Sequence, residues 1–594
     1  MGRVRWLLVI ALAFHCPTAS LDGLSKIRAA GTAEPIDQPQ ADLILHRGKI
    51  VTVDKHFSIH QALAIQGGHI LRVGSDQEVL QTRGPQTKLV DLNGKAVLPG
   101  LIDSHVHPTA ACLTEFDHPI PEMESIQDVL DYVKARANVL AEGEWITVDQ
   151  VFITRLREQR YPTKRELDQA AQKNPVVFRT GPDAALNSLA LKLSKIDKDF
   201  QVTDLGAGYA EKDPKTGEPT GILRNCTRYV KSQVAASTRQ PTELDRMERL
   251  LALFKDYNSV GLTSIIDRDA SASAIDQYRQ LRDKNRLPLR IAISHHIDTT
   301  GDIDQVRNRI RQVARHPLCK PDPMLRIVGI KTFLDGGMLT GSAYMRQPWG
   351  ASKIYSITDP TYRGLLFIPP DRLKPIVETT VESGLQFTAH SVGDGAVHTL
   401  LDAYEDVNGQ TPIRKTRPCI THANFMSREA VQKLAQLGVA VDIQPAWLYL
   451  DTRTLVAQFG YDRLRYFQPL RSIFEAGAIA GGGSDHMQKI GSLRAINPYN
   501  PFLAMWTTIT RKAKGYEGQL HPEEALSREQ ALRFYTINNA YLMFLEDQIG
   551  SLEVGKRADF VIVDTDILTC PVDSIKETQV LQTYLGGQLV YARK

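Results

Sequence analysis

Short apolar and β-branched runs recur through the middle of the chain, and each is soon followed by a polar residue. Eight such runs occur, at residues 100–103, 263–267, 290–294, 327–330, 385–389, 419–421, 439–443 and 479–484. Runs of this length and buried character are typical of parallel strands, which helices cover on both faces. The pattern therefore predicts an α/β fold with eight parallel strands separated by longer segments.

Five of these runs end beside a residue that can bind a metal ion. In chain order the candidates are His105 with His107, Lys331, His390, His422 and Asp485. Side chains two residues apart on a strand share a face, so the first two histidines can point at one ion. Catalytic groups at the carboxyl ends of several strands are what a (β/α)8 TIM-like barrel provides, here on strands one, four, five, six and eight. Imidazole and carboxylate ligands suit Zn²⁺, and a catalytic site keeps one position for water, so the sequence predicts a hydrolase.

The two ends of the chain have a different texture from the middle. Short β-like runs separated by glycines fill residues 42–95, and the same β-like pattern recurs within residues 541–594. Neither end has enough strands to bury a face alone, so we expect both to pair in one discontinuous β-sandwich beside the barrel of residues 96–540.

A long interval separates His107 from the second predicted barrel strand. It is far too long for one βα connection, and it has helical periodicity at 126–140 and strand-like runs at 145–148 and 176–179. Because the chain leaves and re-enters at the catalytic end, we expect residues 113–225 to form an inserted cap subdomain over the metal ions.

Several stretches together resemble the amidohydrolase superfamily, in particular the branch of YtcJ-like proteins and N-substituted formamide deformylases. The stretches that carry the resemblance are residues 97–107, 329–336, 390–394, 483–485 and 549–559. The likeness runs from about residue 42 to the carboxyl terminus. Each stretch alone is weak evidence for the resemblance, but the five stretches in this order are specific to the family.

The resemblance implies a centre with two divalent metal ions, for which zinc is expected. In such a centre Lys331 reacts with CO₂, and the resulting carbamate bridges the ions. His105, His107 and Asp485 would hold one ion, and His390 and His422 the other. A hydroxide shared by both ions would be the nucleophile, and Asp485 would pass its proton to the leaving nitrogen.

The inserted segment departs from the pattern of these relatives at two places. Residues 183–188 read Asp-Ala-Ala-Leu-Asn-Ser where many YtcJ-like sequences carry a histidine in a Gly-His-Ala segment. Arg224 and Asn225 follow a stretch that commonly ends in an acidic residue. The identity of the substrate therefore does not transfer from the family.

These observations predict a metal-dependent hydrolase of a non-peptide C–N bond in an amide, N-formyl or cyclic amide group. An esterase or lactonase on the same site is the first alternative, because the same nucleophile serves any activated acyl carbon. A non-catalytic, secreted ligand-binding relative is the second, although such a module has no need of an open metal site. A mononuclear deaminase is disfavoured because it gives Lys331 no role.

Six further residues are candidates for substrate contact at the rim. A glycine-rich loop at 335–342 follows the fourth predicted strand, where the backbone can approach a ligand, although an ordinary βα turn explains it equally well. His295 and His296 end the third predicted strand, where a hydrogen-bonded histidine without a catalytic task is the better interpretation. The candidate substrate-binding residues are Asp335, Tyr344, Trp349, Asp394, His295 and Arg511.

Composition restricts the class of partner. The chain has 594 residues, a formal net charge of +4 and 42% hydrophobic residues, which is ordinary for a folded protein. It has no long basic run, so nucleic acid is not implied and a small-molecule substrate is expected. Assembly into a homo-oligomer is left open.

The amino terminus predicts export to the periplasm or the extracellular space. Arg3 and Arg5 precede an apolar run at 6–14, and small residues at 18–20 follow, as in a secretory signal. We expect residues 1–20 to be removed, residues 21–41 to form a flexible lead-in, and no membrane association afterwards. A lipoprotein anchor at Cys16 is less favoured because bulky residues precede it, and the five remaining cysteines show no paired spacing.

Overall fold

The computed structural model describes residues 39–594, apart from residues 150, 205 and 237. The predicted signal segment and residues 21–38 of the predicted lead-in lie outside this part, so export stays a prediction. In the described part, no helix is both long and apolar enough to cross a bilayer. All five of its cysteines are free thiols, namely Cys112, Cys226, Cys319, Cys419 and Cys570.

Eight parallel strands form one curved sheet in chain order, as the apolar runs predict. Every residue of the first strand is buried, because the sheet has helices on one face and the barrel interior on the other. The (β/α)8 prediction is confirmed. The strands are Leu101–Val106, Leu262–Ala270, Arg290–His296, Leu325–Phe333, Gln386–Ser391, Cys419–His422, Ala440–Ile443 and Ala480–Gly482.

The sheet closes where the eighth barrel strand meets the first, just beyond Gly482. The Asp485 N–H donates to the His105 carbonyl at 2.8 Å, and the His107 N–H donates to the His486 carbonyl at 2.8 Å. The backbone that closes the barrel is thus the backbone of three predicted metal ligands. Their positions relative to one another are therefore fixed by the fold and not by loop conformation.

Helices surround the barrel and bury one apolar stripe each. The helix Ile303–Ala314 shows the pattern: Val306, Ile310 and Val313 are buried at helical spacing, and the Asp302 side chain caps its first turn. The helices that flank the barrel strands are Glu243–Ser259, Ala272–Asp283, Ile303–Ala314, Pro370–Glu382, Asp394–Asn408, Arg428–Leu437, Pro445–Phe459, Leu470–Glu475, Pro501–Thr510, Arg528–Tyr535 and Ile537–Leu542.

Strands from both chain ends share one sheet beside the barrel, as predicted. Phe560–Val563 pairs antiparallel with Ala96–Pro99, so a carboxyl-terminal strand lies against an amino-terminal one. The six strands of this sheet, in spatial order, are Gln588–Ala592, Val580–Leu585, Phe560–Val563, Ala96–Pro99, Lys49–Val51 and Ile59–His60. A second sheet contains His69–Gly74, Ala62–Gln66, Ala41–His46 and Arg83–Asp91.

Apolar side chains of both sheets meet in one cluster. Leu43 and Leu63 of the four-stranded sheet pack with Ile50, Phe560 and Ile562 of the six-stranded sheet. Burial of each such side chain contributes about 1.5–3 kcal/mol, so neither chain end has a complete core without the other. The sequence pattern missed the strands Val580–Leu585 and Arg83–Asp91.

A separate five-stranded sheet forms from the long interval after His107. Its chain begins with the helix Ile126–Ala137, and a tight turn closes its hairpin, where the Gly217 N–H donates to the Asp213 carbonyl at 2.8 Å. We call this sheet and its helices the cap. The cap strands are Tyr209–Lys212, Pro219–Arg224, Asp183–Leu186, Val176–Thr180 and Ile146–Asp149, and its remaining helices are Lys164–Ala170 and Ser188–Ser194.

Candidate metal centre

One cavity of about 910 Å³ lies at the carboxyl ends of the barrel strands. Residues of the cap line part of it, together with the loops that follow the barrel strands. All six predicted metal ligands are among its lining residues: His105, His107, Lys331, His390, His422 and Asp485. We call this set of six the floor of the cavity.

The first three ligands converge on a single point. The His105 and His107 Nε2 atoms lie 3.2 Å apart, and the Asp485 Oδ1 atom lies 3.5 Å and 3.2 Å from them respectively. Their ligand atoms all lie within 4.8 Å of one another. Two imidazoles and one carboxylate around a common point fit a divalent ion such as Zn²⁺ and leave a coordination position open.

A buried carboxylate orients the first histidine. The His105 Nδ1 atom lies 3.1 Å from Asp442 Oδ1, which directs Nε2 toward the other ligands. The Asp442 Oδ2 atom accepts from the Arg268 Nε at 2.9 Å, and both of these side chains are fully buried in the barrel interior. Such a second partner fixes the tautomer and the ring orientation of a metal-binding histidine.

Another carboxylate ties the first and eighth barrel strands at the same level. The backbone N–H groups of His105 and Ser484 donate to one Asp103 oxygen at 2.9 Å and 3.0 Å. This bridge holds His105 against the segment that carries Asp485. The ligand geometry is therefore set by hydrogen bonds that lie beneath the cavity.

His390 and His422 form a second pair beside the first group. Their ring centroids are 4.5 Å apart, and the His422 ring also stacks on His105 at 4.9 Å. The His422 Nδ1 is held by the Gln444 Oε1 at 2.7 Å, and the indole of Trp447 stacks on its other face at 4.6 Å. In the described residues this pair has no third His, Cys, Asp or Glu ligand of its own.

Lys331 is enclosed between the two groups. Only 1% of its surface is exposed, and its Nζ lies 4.8 Å from the Phe333 ring centroid. Within the described part of the chain, no carboxylate forms an ion pair with it. Burial lowers the pKa of the Lys331 amine, which favours the neutral form that reacts with CO₂. The surroundings therefore suit a carbamate better than an ammonium ion beside cations.

Three of the four histidines of the floor are held in the neutral form, whereas the pKa of His107 is raised, because the effect of burial is outweighed by the hydrogen bond to Asp485 and the nearby carboxylate charges. Burial lowers the pKa of His105 and His422 well below the usual range, and burial beside Lys331 lowers the pKa of His390 to about 3. Neutral imidazole is the form that binds a metal ion. The donor set of this structure thus fits the divalent ions that the sequence implies.

The wall of the cavity, meaning all lining residues other than the floor, comes from loops and from the cap. Its apolar part includes Phe152, Phe333, Phe367, Trp447 and Met487, and its polar part includes the residues Asn225, Arg228, Asp269, His296, Asp298 and Arg372. The His296 Nδ1 pairs with the Asp269 Oδ1 at 2.8 Å. The cap thus contributes directly to the space in which a substrate would lie.

Sequence reasoning missed most residues that support or surround the floor. Asp442 occupied a visible position, as the one charged residue within the apolar run 439–443, and a charge inside a barrel strand signals a buried partner. Gln444 and Trp447 follow the same strand directly. Arg372 gave no such signal, because it lies on a helix that begins far from any predicted ligand.

The six candidates for substrate contact lie outside the lining of this cavity. Asp335 is buried beneath it, where its carboxylate accepts the backbone N–H groups of Val392, Gly393 and Tyr344 at 2.8–3.0 Å. Burial raises the pKa of Asp335 to about 8. Asp394 accepts the Arg346 N–H at 2.8 Å, so both aspartates support turns.

The other candidates have partners of their own as well. The Trp349 indole donates to the Ala343 carbonyl at 2.8 Å, and the His295 Nδ1 lies 2.7 Å from the His296 carbonyl. The Arg511 guanidinium is fully buried and donates to three backbone carbonyls at 2.8–3.0 Å. This placement favours structural roles and gives no support to the prediction of substrate contact.

Comparison with known proteins agrees with this architecture. The model of the amidohydrolase family matches residues 88–591. The N-substituted formamide deformylase of Arthrobacter pascens is 28% identical over 566 residues, which cover 93% of this chain and 98% of that protein. The putative amidohydrolase YtcJ of Bacillus subtilis is 23% identical over 93% of this chain and 99% of its own length.

A solved structure supports the same fold. An uncharacterized metal-dependent hydrolase from Pyrococcus horikoshii superposes with a TM-score of 0.63 and 22% sequence identity, covering 89% of this chain and 99% of that one. The family match extends over most of the chain, including all eight barrel strands and all six floor residues. The chain therefore belongs to the amidohydrolase family.

Proposed function

We propose that this protein is a metal-dependent amidohydrolase that cleaves a non-peptide C–N bond in an amide, N-formyl or cyclic amide group. The observation that carries the proposal is that four imidazoles, Asp485 and a buried lysine converge in one cavity. The similarity to a formamide deformylase supports the class of bond.

The floor would hold two divalent ions, for which zinc is expected. In this proposal His105, His107 and Asp485 would hold one ion, His390 and His422 would hold the other, and a carbamate on Lys331 would lie between them. Such ions, when bound, make water nucleophilic at neutral pH and polarise a substrate carbonyl.

Asp485 is the residue placed to move a proton. Its N–H donates to the His105 carbonyl, its own carbonyl accepts the Asn497 amide at 2.8 Å, and its Oδ1 lies 3.2 Å from the His107 Nε2 at the floor of the cavity. There it can accept a proton from the attacking water and deliver it to the departing nitrogen. The apolar part of the wall excludes bulk water around this step, which strengthens charge interactions within the cavity.

Metal analysis and a substrate screen test the proposal. We expect about two equivalents of metal for each chain, loss of turnover on chelation and recovery when Zn²⁺ is restored. The screen compares N-acyl, N-formyl and cyclic amide compounds with matched esters and lactones. Turnover of the esters alone would move the assignment to an esterase, and chelator-resistant ligand binding without turnover would indicate a binding protein.

The bridging role of Lys331 has its own test. Lys331→Ala should lose most turnover and at least one equivalent of metal, and a short-chain carboxylic acid should restore part of both by replacing the carbamate. Lys284→Ala is the control, because Lys284 caps the carboxyl end of the surface helix Ala272–Asp283. Full metal content and activity in Lys331→Ala would contradict the bridge.

We also propose export through residues 1–20, on the charge and hydropathy of that segment alone. Fractionation of cells that express the full chain, followed by amino-terminal sequencing, tests it. A start near residue 21 in the exported fraction supports the proposal, and an intact amino terminus in the cytosol contradicts it.

A further inference from the structure

We propose that the substrate carries a carboxylate in addition to its scissile amide, and that Arg372 in the wall binds it. The inference rests on the proposed function and narrows it to acidic amides such as N-acyl or N-formyl amino acids. It depends on which cations face the cavity and which of them already have an anionic partner.

Arg372 lines the cavity from the first turn of the helix Pro370–Glu382. One of its terminal nitrogens donates to the carbonyls of Thr299 and Gly301, at 2.9 Å and 2.7 Å. These two bonds hold the guanidinium in place. The Nε and the other terminal nitrogen have no hydrogen-bond partner among the described residues, and no described carboxylate forms an ion pair with the group.

The second arginine of the wall, Arg228, already has an anionic partner. The Arg228 guanidinium forms a two-point pair with Asp204, at 2.8 Å for one of the two bonds, and it also donates to the carbonyls of Asn225 and Ala207. Its donors are already engaged, so a ligand would have to break existing bonds. Among the described residues of the wall, one guanidinium is therefore free to bind an anion, and it is that of Arg372.

The acidic residues nearby are also engaged. Asp269 pairs with His296 at 2.8 Å, and Asp298 accepts both the N–H and the hydroxyl of Thr300, at 2.9 Å and 2.8 Å. A partly buried guanidinium without a counter-ion is costly, and a carboxylate that forms two parallel bonds with it offsets that cost. Arginine binds a planar carboxylate in this two-point manner better than lysine does.

The side chains around the floor and Arg372 indicate the character of the rest of the substrate, beyond its amide and its carboxylate. The Phe333 ring lies near both the Lys331 amine and the His390 ring, with a centroid distance of 5.4 Å to the latter. Phe367 and Ile368 line the same cavity just before the helix of Arg372. An apolar side chain on the carbon that joins amide and carboxylate fits this surface, as in an N-formyl amino acid with an aromatic or aliphatic side chain.

The experiment compares N-formylphenylalanine, as each enantiomer, with N-formylphenethylamine, which lacks only the carboxylate. In the native protein we expect kcat/KM to be at least about 50-fold higher for the better enantiomer of the acid. Arg372→Gln should abolish that preference, mainly through KM, and leave kcat/KM for the neutral amide within about threefold. Arg372→Lys should recover part of the preference, since it restores charge without the two-point geometry.

Arg309→Gln is the matched control. Arg309 donates to the Asp298 carbonyl at 2.6 Å, so it supports the same loop that Arg372 contacts, but it does not line the cavity. It should keep the preference for the acid. Equal activity of the native protein on both compounds, or an equal loss on both in Arg372→Gln, would overturn the inference.

A binding measurement separates failure of this inference from failure of the proposed function. Calorimetry with 3-phenylpropanoate, which has the carboxylate but no amide, needs no turnover. Binding to the native protein that Arg372→Gln weakens at least tenfold supports the carboxylate site even if neither amide is hydrolysed. Hydrolysis of both amides without such binding would contradict the carboxylate site and would leave the proposed amidohydrolase function supported.

Discussion

The floor and the wall of the cavity are built in different ways. Each floor residue lies on a barrel strand or within three residues of its end, and buried partners such as Asp442 and Gln444 fix the rings of His105 and His422. The wall comes from the cap, from loops and from one helix start. Its charged groups have partners, as His296 has in Asp269 and Arg228 has in Asp204, or have no counter-ion among the described residues, as is the case for Arg372.

This difference separates the reaction from the choice of substrate. A rigid sheet can hold ligand atoms to within a few tenths of an ångström, which metal chemistry requires. Loops and insertions can change without disturbing that sheet, so the wall is free to set which molecule binds. The following predictions test whether the floor determines the reaction and the wall determines the choice of substrate.

The largest effect is expected at Asp485. Asp485→Asn removes both a metal ligand and the proton acceptor, so kcat should fall by about 10³-fold or more, since a general base alone contributes about 10²–10⁴-fold. Steady-state kinetics and metal analysis measure both losses. Asp298→Asn changes a carboxylate of the wall and should stay within about tenfold of the native kcat. Comparable losses in the two variants would remove the distinction between floor and wall.

The next effect is expected beneath the floor, at Asp442. Asp442→Asn weakens the hold on His105, so metal affinity should fall by about 10–100-fold. It also leaves Arg268 buried without a counter-charge, which costs about 3–5 kcal/mol of unfolding free energy. Competition with a chelator and denaturant unfolding measure the two effects.

A second buried aspartate provides the control for Asp442. Asp559 is buried and pairs with Arg290 at 2.6 Å, and Arg290 is the first residue of its barrel strand, at the end opposite the cavity. Asp559→Asn should therefore reduce stability and leave metal affinity near the native value. Equal losses of metal affinity in both variants would show that general destabilisation, and not the orientation of His105, is responsible.

Acid should destabilise the metal-free protein through buried histidines in the floor and next to it. Burial lowers the pKa of His390 to about 3 and that of His486 to about 4, below the unfolded value of about 6.5. Between these values the unfolded chain binds protons that the folded chain does not. Stability is therefore present above pH 6.5 and falls as pH drops toward 4, by about 1.4 kcal/mol per pH unit for each group.

The wall should respond to pH with the opposite sign. The hydrogen bond that the His296 ring donates to Asp269 raises the pKa of His296, so its contribution to stability is present below pH 6.5 and is lost as pH rises through the folded value. Denaturant unfolding of metal-free protein at pH 7.5 and 5.0 compares His390→Asn, which should flatten the acid-side loss, with His296→Asn, which should not. Identical slopes in both variants would contradict the assignment.

The smallest effect is expected at Tyr344. The sequence makes it a candidate for substrate contact, but it lies outside the cavity lining, so Tyr344→Phe should leave kcat/KM within about twofold. Kinetics on any substrate found in the screen measures it. A tenfold rise in KM would show that the binding site extends beyond the cavity described above.

Prediction from sequence succeeded where the signal was local. A buried strand followed by a histidine is visible in a few residues, and the order of strands in a barrel then brings distant ligands to one edge. Trp349 and Arg511 show the limit: both are residue types that commonly bind ligands, yet the fold encloses them and satisfies them with backbone carbonyls. Nothing in their neighbours along the chain distinguishes these two situations.

By itself, the sequence determined the eight barrel strands, the pairing of the two chain ends and the six floor residues. Only the tertiary structure decided which residues form the wall, that Asp442 supports His105 and that Arg372 has no counter-ion in the described part of the chain. The physical reason is the range of the interactions. Strand periodicity and the position of a strand end are properties of a short segment, whereas a wall exists only where the cap, the loops and a helix start meet in space.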